Sequence, residues 1–298
     1  MKMALNHDRR KAIKNLIAGT LTASAAGSLM SFMPEKSGVP FKEKLKGNIN
    51  HSVCRWCYNF LSIDELCNLA NEIGLKGIDL VGPADWPVLK KYGLESTMCN
   101  GAEINLVDGW NNKKNHAQLI KNYSAMIPLV AKAGYKNLIC FSGNRNGMDD
   151  ETGMENCRVG LQQILPLALK NNVVIVMELL NSKIDHPDYQ ADHTKWGVDL
   201  AKKLDSENFK LLYDIYHMQI DEGDVIRTIR ENSKYIAHYH TAGVPGRHEI
   251  DETQELNYPA IMKAILATGF KGTVAQEFIP VNENKIESLE KAVAICDV

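Results

Sequence analysis

The chain has 298 residues, 45% of them hydrophobic and 23% charged, enough apolar material for a sizeable core. Lys and Arg number 34 against 36 Asp and Glu, which gives no basic field to hold a nucleic acid and no acidic tail; a small neutral or anionic substrate is the better expectation. Seven scattered cysteines do not make a disulfide scaffold, and the lone Cys54-Arg55-Trp56-Cys57 has no second pair to complete a four-thiolate zinc site.

At the start, Asp8-Arg9-Arg10-Lys11-Ala12-Ile13-Lys14 precedes an apolar, Ala-rich stretch from Leu16 to Met33, which resembles a twin-arginine export signal. Ala23-Ser24-Ala25 offers a small-residue cleavage site; the competing reading is a basic start on an uncut membrane anchor. No other apolar run approaches the roughly 18 to 20 residues that span a bilayer. The expected organisation is a signal over 1–33, a linker over 34–46 and a catalytic domain over 47–298, exported to the periplasm and free of the membrane after cleavage.

From residue 47 onward, strand and helix signals alternate. Strands are expected over 47–53, 77–81, 94–98, 137–140, 173–177, 209–213, 236–239 and 272–276. Helices are expected over 62–73, 85–91, 116–133, 151–171, 192–204, 224–232, 259–268 and 282–296, the first opened by the capping box Ser62-Ile63-Asp64-Glu65. Pro128 and Pro166 should kink or interrupt their helices. Strict alternation over about 250 residues argues for an α/β fold of the (β/α)8 TIM barrel type. No GxGxxG follows the first strand, so a dinucleotide fold has little support.

The most informative stretch is Val173-Val174-Ile175-Val176-Met177, an unbroken apolar run as in a strand buried on both faces, leading into Glu178. The next three strands also end in residues that can ligate metal: Asp214, His240 and Glu277. In parallel α/β folds the C-terminal strand ends are where ligands bind. A carboxylate in that place often just caps the next helix, and a lone His is usually a satisfied core residue. Four coinciding on successive strands point instead to a site of three oxygen ligands and one nitrogen, suited to Mn2+, Mg2+, Zn2+ or Co2+. By strand alternation, His238 should lie beneath His240.

Glu178-Leu179-Leu180-Asn181, Tyr213-Asp214-Ile215-Tyr216-His217-Met218-Gln219, Ile236-Ala237-His238-Tyr239-His240 and Gln276-Glu277-Phe278 resemble the xylose-isomerase-like barrels, and the second of these segments, with Pro245-Gly246-Arg247-His248-Glu249, the hydroxypyruvate isomerase branch. The resemblance runs from about Asn48 to the end and is strongest from Val173 to Pro280. It implies that Glu178, Asp214, His240 and Glu277 hold one divalent ion, that Glu178 and Glu277 are also the catalytic acid/base pair, and that His217 and Arg247 hold the substrate. His240 departs from that branch, where the seventh-strand ligand is Gln, and is closer to the ketose 3-epimerases.

The implied activity is isomerisation of a small sugar or hydroxy-keto acid by proton transfer through an enediolate. Arg247 would pair with a substrate carboxylate, or else is an exposed loop residue; His217 would contact substrate, or else orient Asp214. Trp56, Trp86, Trp110 and Phe141 are candidates to line a sugar pocket. The alternatives are a ketose 3-epimerase, a non-catalytic periplasmic sugar binder, and a hydrolase or lyase of the endonuclease type, which the neutral charge balance disfavours. Assembly into a homo-oligomer is left open.

Overall fold

In a computed structural model of the protein, residues 44–298 are described; the expected signal and most of the expected linker lie outside the described residues. Eight parallel strands pair in sequence order and close into a barrel. They are β1 (Asn50–Cys54), β2 (Gly77–Val81), β3 (Glu95–Cys99), β4 (Asn137–Cys140), β5 (Val174–Glu178), β6 (Phe209–Asp214), β7 (Ile236–Thr241) and β8 (Thr273–Gln276). Closure is made by β1 on β8, with Asn50 opposite Thr273 and Val53 opposite Gln276.

The helices are α1 (Ile63–Ile73), α2 (Trp86–Lys91), α3 (His116–Ala133), α4 (Asp150–Leu161), α5 (Leu165–Lys170), α6 (Thr194–Leu204), α7 (Ile215–Asp221), α8 (Val225–Asn232), α9 (Tyr258–Ala267) and α10 (Lys285–Cys296). The Ser62 capping box forms as expected: the Ser62 side chain accepts from Glu65 N, and the Glu65 carboxylate accepts from Ser62 N. Asp149, Asn257 and Asn284 cap α4, α9 and α10 by accepting from Thr152 N, Ala260 N and Glu287 N, without the return bond of a capping box.

Three expectations about helices change. The single helix over 151–171 is two, α4 and α5, and Pro166 lies in the first turn of α5, where its missing N–H costs no hydrogen bond. Pro128 does not interrupt α3, whose buried Met126, Ile127 and Val130 continue through it. The segment after Asp214, expected as a loop, is α7, which follows β6 with no intervening residue.

The four rim residues share one face because of register. Glu178 is level with Leu212, two residues before Asp214; Asp214 is level with His240; and His240 is level with Ala275, two residues before Glu277. Every offset is zero or two, and side chains alternate with period two, so all four point to the barrel interior.

Candidate metal and active site

One ligand atom from each of Glu178, Asp214, His240 and Glu277 falls within 4.8 Å of the other three, and all four residues are buried. His240 Nδ1 lies 3.2 Å from Glu178 Oε1 and 2.7 Å from Glu277 Oε2. None of Glu178 Oε1, Asp214 Oδ2 and His240 Nδ1 makes a hydrogen bond. Buried polar atoms without partners are costly, and three of them facing a common point among carboxylates are what a bound cation would satisfy. This donor set fits a divalent ion.

His240 is oriented from below. Its Nε2 donates to Asp79 Oδ2 at 3.0 Å, which leaves Nδ1 to face the cluster. Asp79, in the middle of β2, also accepts from His238 Nε2 at 2.6 Å, from Ser52 Oγ at 2.6 Å and from the Thr97 hydroxyl. Burial works against the Asp79 carboxylate, but the His238 charge and the bonds from both histidines outweigh it and hold its pKa well below the usual range. His238 thus lies beneath His240 as expected, and the acid that both grip, Asp79, escaped the sequence reading.

Glu277 is held at both oxygens: Trp56 Nε1 donates to Oε1 at 2.8 Å and Arg247 Nη2 to Oε2 at 2.7 Å. Arg247 also lies 3.5 Å from Asp214 Oδ2, and its guanidinium is 5.1 Å from the Trp56 ring centroid and 5.5 Å from that of Tyr216. It is therefore not an exposed loop residue; only 13% of its side chain is accessible. Its backbone is left-handed, with φ +60° after Gly246 at +91°, a conformation costly for a residue with a Cβ. The bonds Arg247 N to Gly243 O (3.0 Å) and Ile279 N to Arg247 O (2.7 Å) pin it there and aim the side chain inward.

Asp214 closes β6 and caps α7: its Oδ1 accepts from Tyr216 N at 2.8 Å and His217 N at 3.2 Å, so Oδ2 is turned to the cluster. His217, one turn into α7, is fully buried, with Nε2 3.5 Å from Asp214 Oδ2 and not hydrogen-bonded. Burial and the Arg247 charge hold the His217 pKa well below its usual value, so its ring is neutral.

Crowding four ionisable groups spreads their pKa values. Burial raises Asp214 to about 8 against the pull of Arg247. Burial and the Glu277 charge raise Glu178. Glu277 goes the other way: burial would raise it, but His240 and Arg247 keep it well below the carboxylate range. Burial opposes protonation of His240, yet its neighbours Cys54, Glu277 and Asp79 raise its pKa well above the usual value. A proton on His240 and the Arg247 guanidinium are thus the positive charges that meet the carboxylates here.

Of the three tryptophan candidates only Trp56 reaches the cluster, and Phe141 is buried. Trp86 bonds Val81 O and packs on Tyr135, and Trp110 is fully buried against His116 and Tyr123. The seven cysteines are free and buried, and burial pushes the Cys54 and Cys57 thiols well above their usual pKa, so neither is a ready nucleophile.

A closed parallel barrel with a carboxylate and histidine cluster at its C-terminal rim defines the class as that of barrel proteins able to bind a divalent metal. The chain belongs to the xylose isomerase-like TIM barrel family, whose profile matches residues 86–295. It is 34% identical over 113 residues to a 2-oxo-tetronate isomerase of Cupriavidus necator, a match that covers 38% of this chain and only 43% of that relative's length. It is 27% identical over 251 residues to the hydroxypyruvate isomerase of Escherichia coli, covering 79% of this chain and 94% of the relative. Among solved structures, an AP endonuclease family 2 protein from Brucella melitensis superposes with a TM-score of 0.72 at 24% identity, over 83% of this chain and 97% of the other; that likeness bears on the fold alone.

Proposed function

We propose that this protein is a metal-dependent isomerase of small hydroxy-carbonyl compounds, with short 2-oxo acids of the hydroxypyruvate kind as its substrate class. The observation that carries the reading is the convergence of Glu178, Asp214, His240 and Glu277 with three ligand atoms left without partners. The isomerase names of the relatives from C. necator and E. coli support it. A divalent ion held by these four residues would polarise the substrate carbonyl and acidify the neighbouring C–H.

The chain supplies the rest. Glu178 and Glu277 lie on strands separated by β6 and β7, so they face the reacting carbons from two sides; one takes the proton, and the same or the opposite one returns it to the adjacent carbon. Trp56 and Arg247 fix the plane of the Glu277 carboxylate. Arg247 pairs with a substrate carboxylate through donors that Glu277 does not use; its Nε has no partner. His217 holds a substrate oxygen.

The test is isotope exchange. Protein loaded with Mn2+ or Mg2+ is incubated in heavy water with hydroxypyruvate and with a panel of ketoses and aldoses. Deuterium should enter a substrate C–H only with metal present, and Glu178→Gln should slow it about 10³-fold. No label in any compound would sink the reading, and unchanged affinity in Glu178→Gln would favour a sugar binder. His240 favours a second reading, a ketose 3-epimerase: label would then return to the carbon it left, with inverted configuration.

We infer further that residues 1–33 direct export. The support is the sequence itself, Arg9-Arg10 ahead of the apolar, Ala-rich stretch from Leu16 to Met33. Mass spectrometry of periplasmic protein should find a start beyond residue 25; a full-length cytoplasmic form would count against export.

A further inference from the structure

Asn181 stands three residues beyond Glu178, fully buried, in the loop that leaves β5. All of its amide is engaged. Oδ1 accepts from Ile184 N and Asp185 N, both at 3.0 Å. Nδ2 is 2.6 Å from Asp185 Oδ2 and 2.6 Å from His217 Nδ1. Turning the amide over would set its NH2 against two backbone N–H groups and its oxygen against a carboxylate, so its orientation is determined by four contacts. Asp185 is anchored in turn by Tyr216, whose hydroxyl donates to Oδ2 at 2.9 Å.

An NH2 group can only donate, so His217 Nδ1 must accept. A neutral ring that accepts at Nδ1 carries its proton on Nε2, the atom that is buried, unpartnered and turned towards the carboxylate cluster. We propose that Asn181 is a positioning residue that fixes His217 in the Nε2–H tautomer, so that this N–H donates to an oxygen of the substrate as charge develops on it. The proposal rests on the isomerase reading of the site and adds how this neutral donor is aimed. The opposite tautomer would present a lone pair to that oxygen and repel it.

The experiment uses the full chain, labelled with 15N-histidine, with ring nitrogen shifts read in the metal-free state and turnover measured with hydroxypyruvate after Mg2+ loading. The wild-type protein should show the His217 proton on Nε2. Asn181→Asp preserves size and the oxygen that Ile184 N and Asp185 N need, but presents a second acceptor to Nδ1; the proton should move to Nδ1 and kcat should fall about 100-fold. Pairing it with Asp185→Asn exchanges the two groups at constant net charge and should keep both changes, with Mg2+ affinity and thermal midpoint close to wild type.

A wild-type proton on Nδ1 overturns the proposal. So does a double variant with the moved proton and wild-type kcat, or one with the lost kcat and an unmoved proton. A wild-type Nε2 proton with no turnover on any compound would instead overturn the isomerase reading, with the tautomer assignment intact.

Discussion

The residue whose removal should tell most is one that touches no substrate. Asp79 gathers His238, His240, Ser52 and Thr97, and it fixes which nitrogen of His240 faces the rim. Asp79→Asn keeps the shape but takes away the charge that both histidines grip. Metal affinity measured by calorimetry should weaken by about 10- to 100-fold, the usual effect of losing a partner behind a ligating histidine; an unchanged affinity would show that His240 is held by packing alone. Arg247 permits a sharper test of substrate class. Arg247→Met keeps an apolar filler between Trp56 and Tyr216 but removes the guanidinium. KM for hydroxypyruvate should rise by about 100-fold, corresponding to a lost charged hydrogen-bond pair, while neutral ketoses change far less. Equal losses on both would mean that Arg247 serves the carboxylate cluster and not the substrate.

At the scale of elements, what could be read from the sequence was whatever one strand says by itself. The runs ending in Glu178, Asp214, His240 and Glu277 announce buried strands and rim positions, and the register carries each to the same face. What could not be read depends on contacts between strands far apart in the chain. Asp79 is an acid inside an apolar strand, and its two histidine partners are 159 and 161 residues away. Trp56 meets Glu277 across 221 residues. The helix α7 was missed because Asp214 both closes β6 and caps α7, leaving no turn residues between them to mark a boundary. Asn181 stood in the quoted motif, but its role needs the loop closed around it. Glu249 is a similar case: its Oε1 accepts from Val281 N, Asn282 N and Ser288 Oγ, which ties the loop bearing Arg247 to the loop after β8. Glu249→Ala leaves three donors without an acceptor and should cost about 3 kcal/mol. The thermal midpoint should drop by several degrees, and amide exchange should quicken at Val281 and Asn282 first; a uniform change across the barrel would refute this local account.

For the whole molecule, an ion held at the cluster would make stability depend jointly on metal and pH. Asp214, raised by burial to about 8, stays protonated in the metal-free fold over a range where the unfolded chain, with an ordinary carboxyl near 3.8, has lost that proton. The folded state therefore binds more protons between about pH 4 and 8, and by linkage the metal-free protein loses stability as pH rises through that window. Glu178, raised by burial and Glu277, acts in the same sense. His240, also raised, contributes stability below the ordinary histidine pKa that is lost as pH rises through its folded value. Glu277 acts oppositely, but only in acid: its depressed pKa contributes above the ordinary carboxylate value and gives no slope near neutrality. A divalent ion must displace the protons on Asp214, Glu178 and His240 to bind, so its affinity should rise with pH over the interval in which the metal-free fold weakens. Other buried groups also titrate, such as His51, lowered by burial to about 4 beside Asp297, but they are common to both forms and cancel in a difference. The midpoint with saturating Mn2+ minus the midpoint with chelator should therefore widen steadily from pH 5.5 to pH 8. An ion held at 100 times its Kd adds about 2.7 kcal/mol. A difference that is flat across this interval, or that narrows, would mean that metal and protons do not compete for the four rim residues.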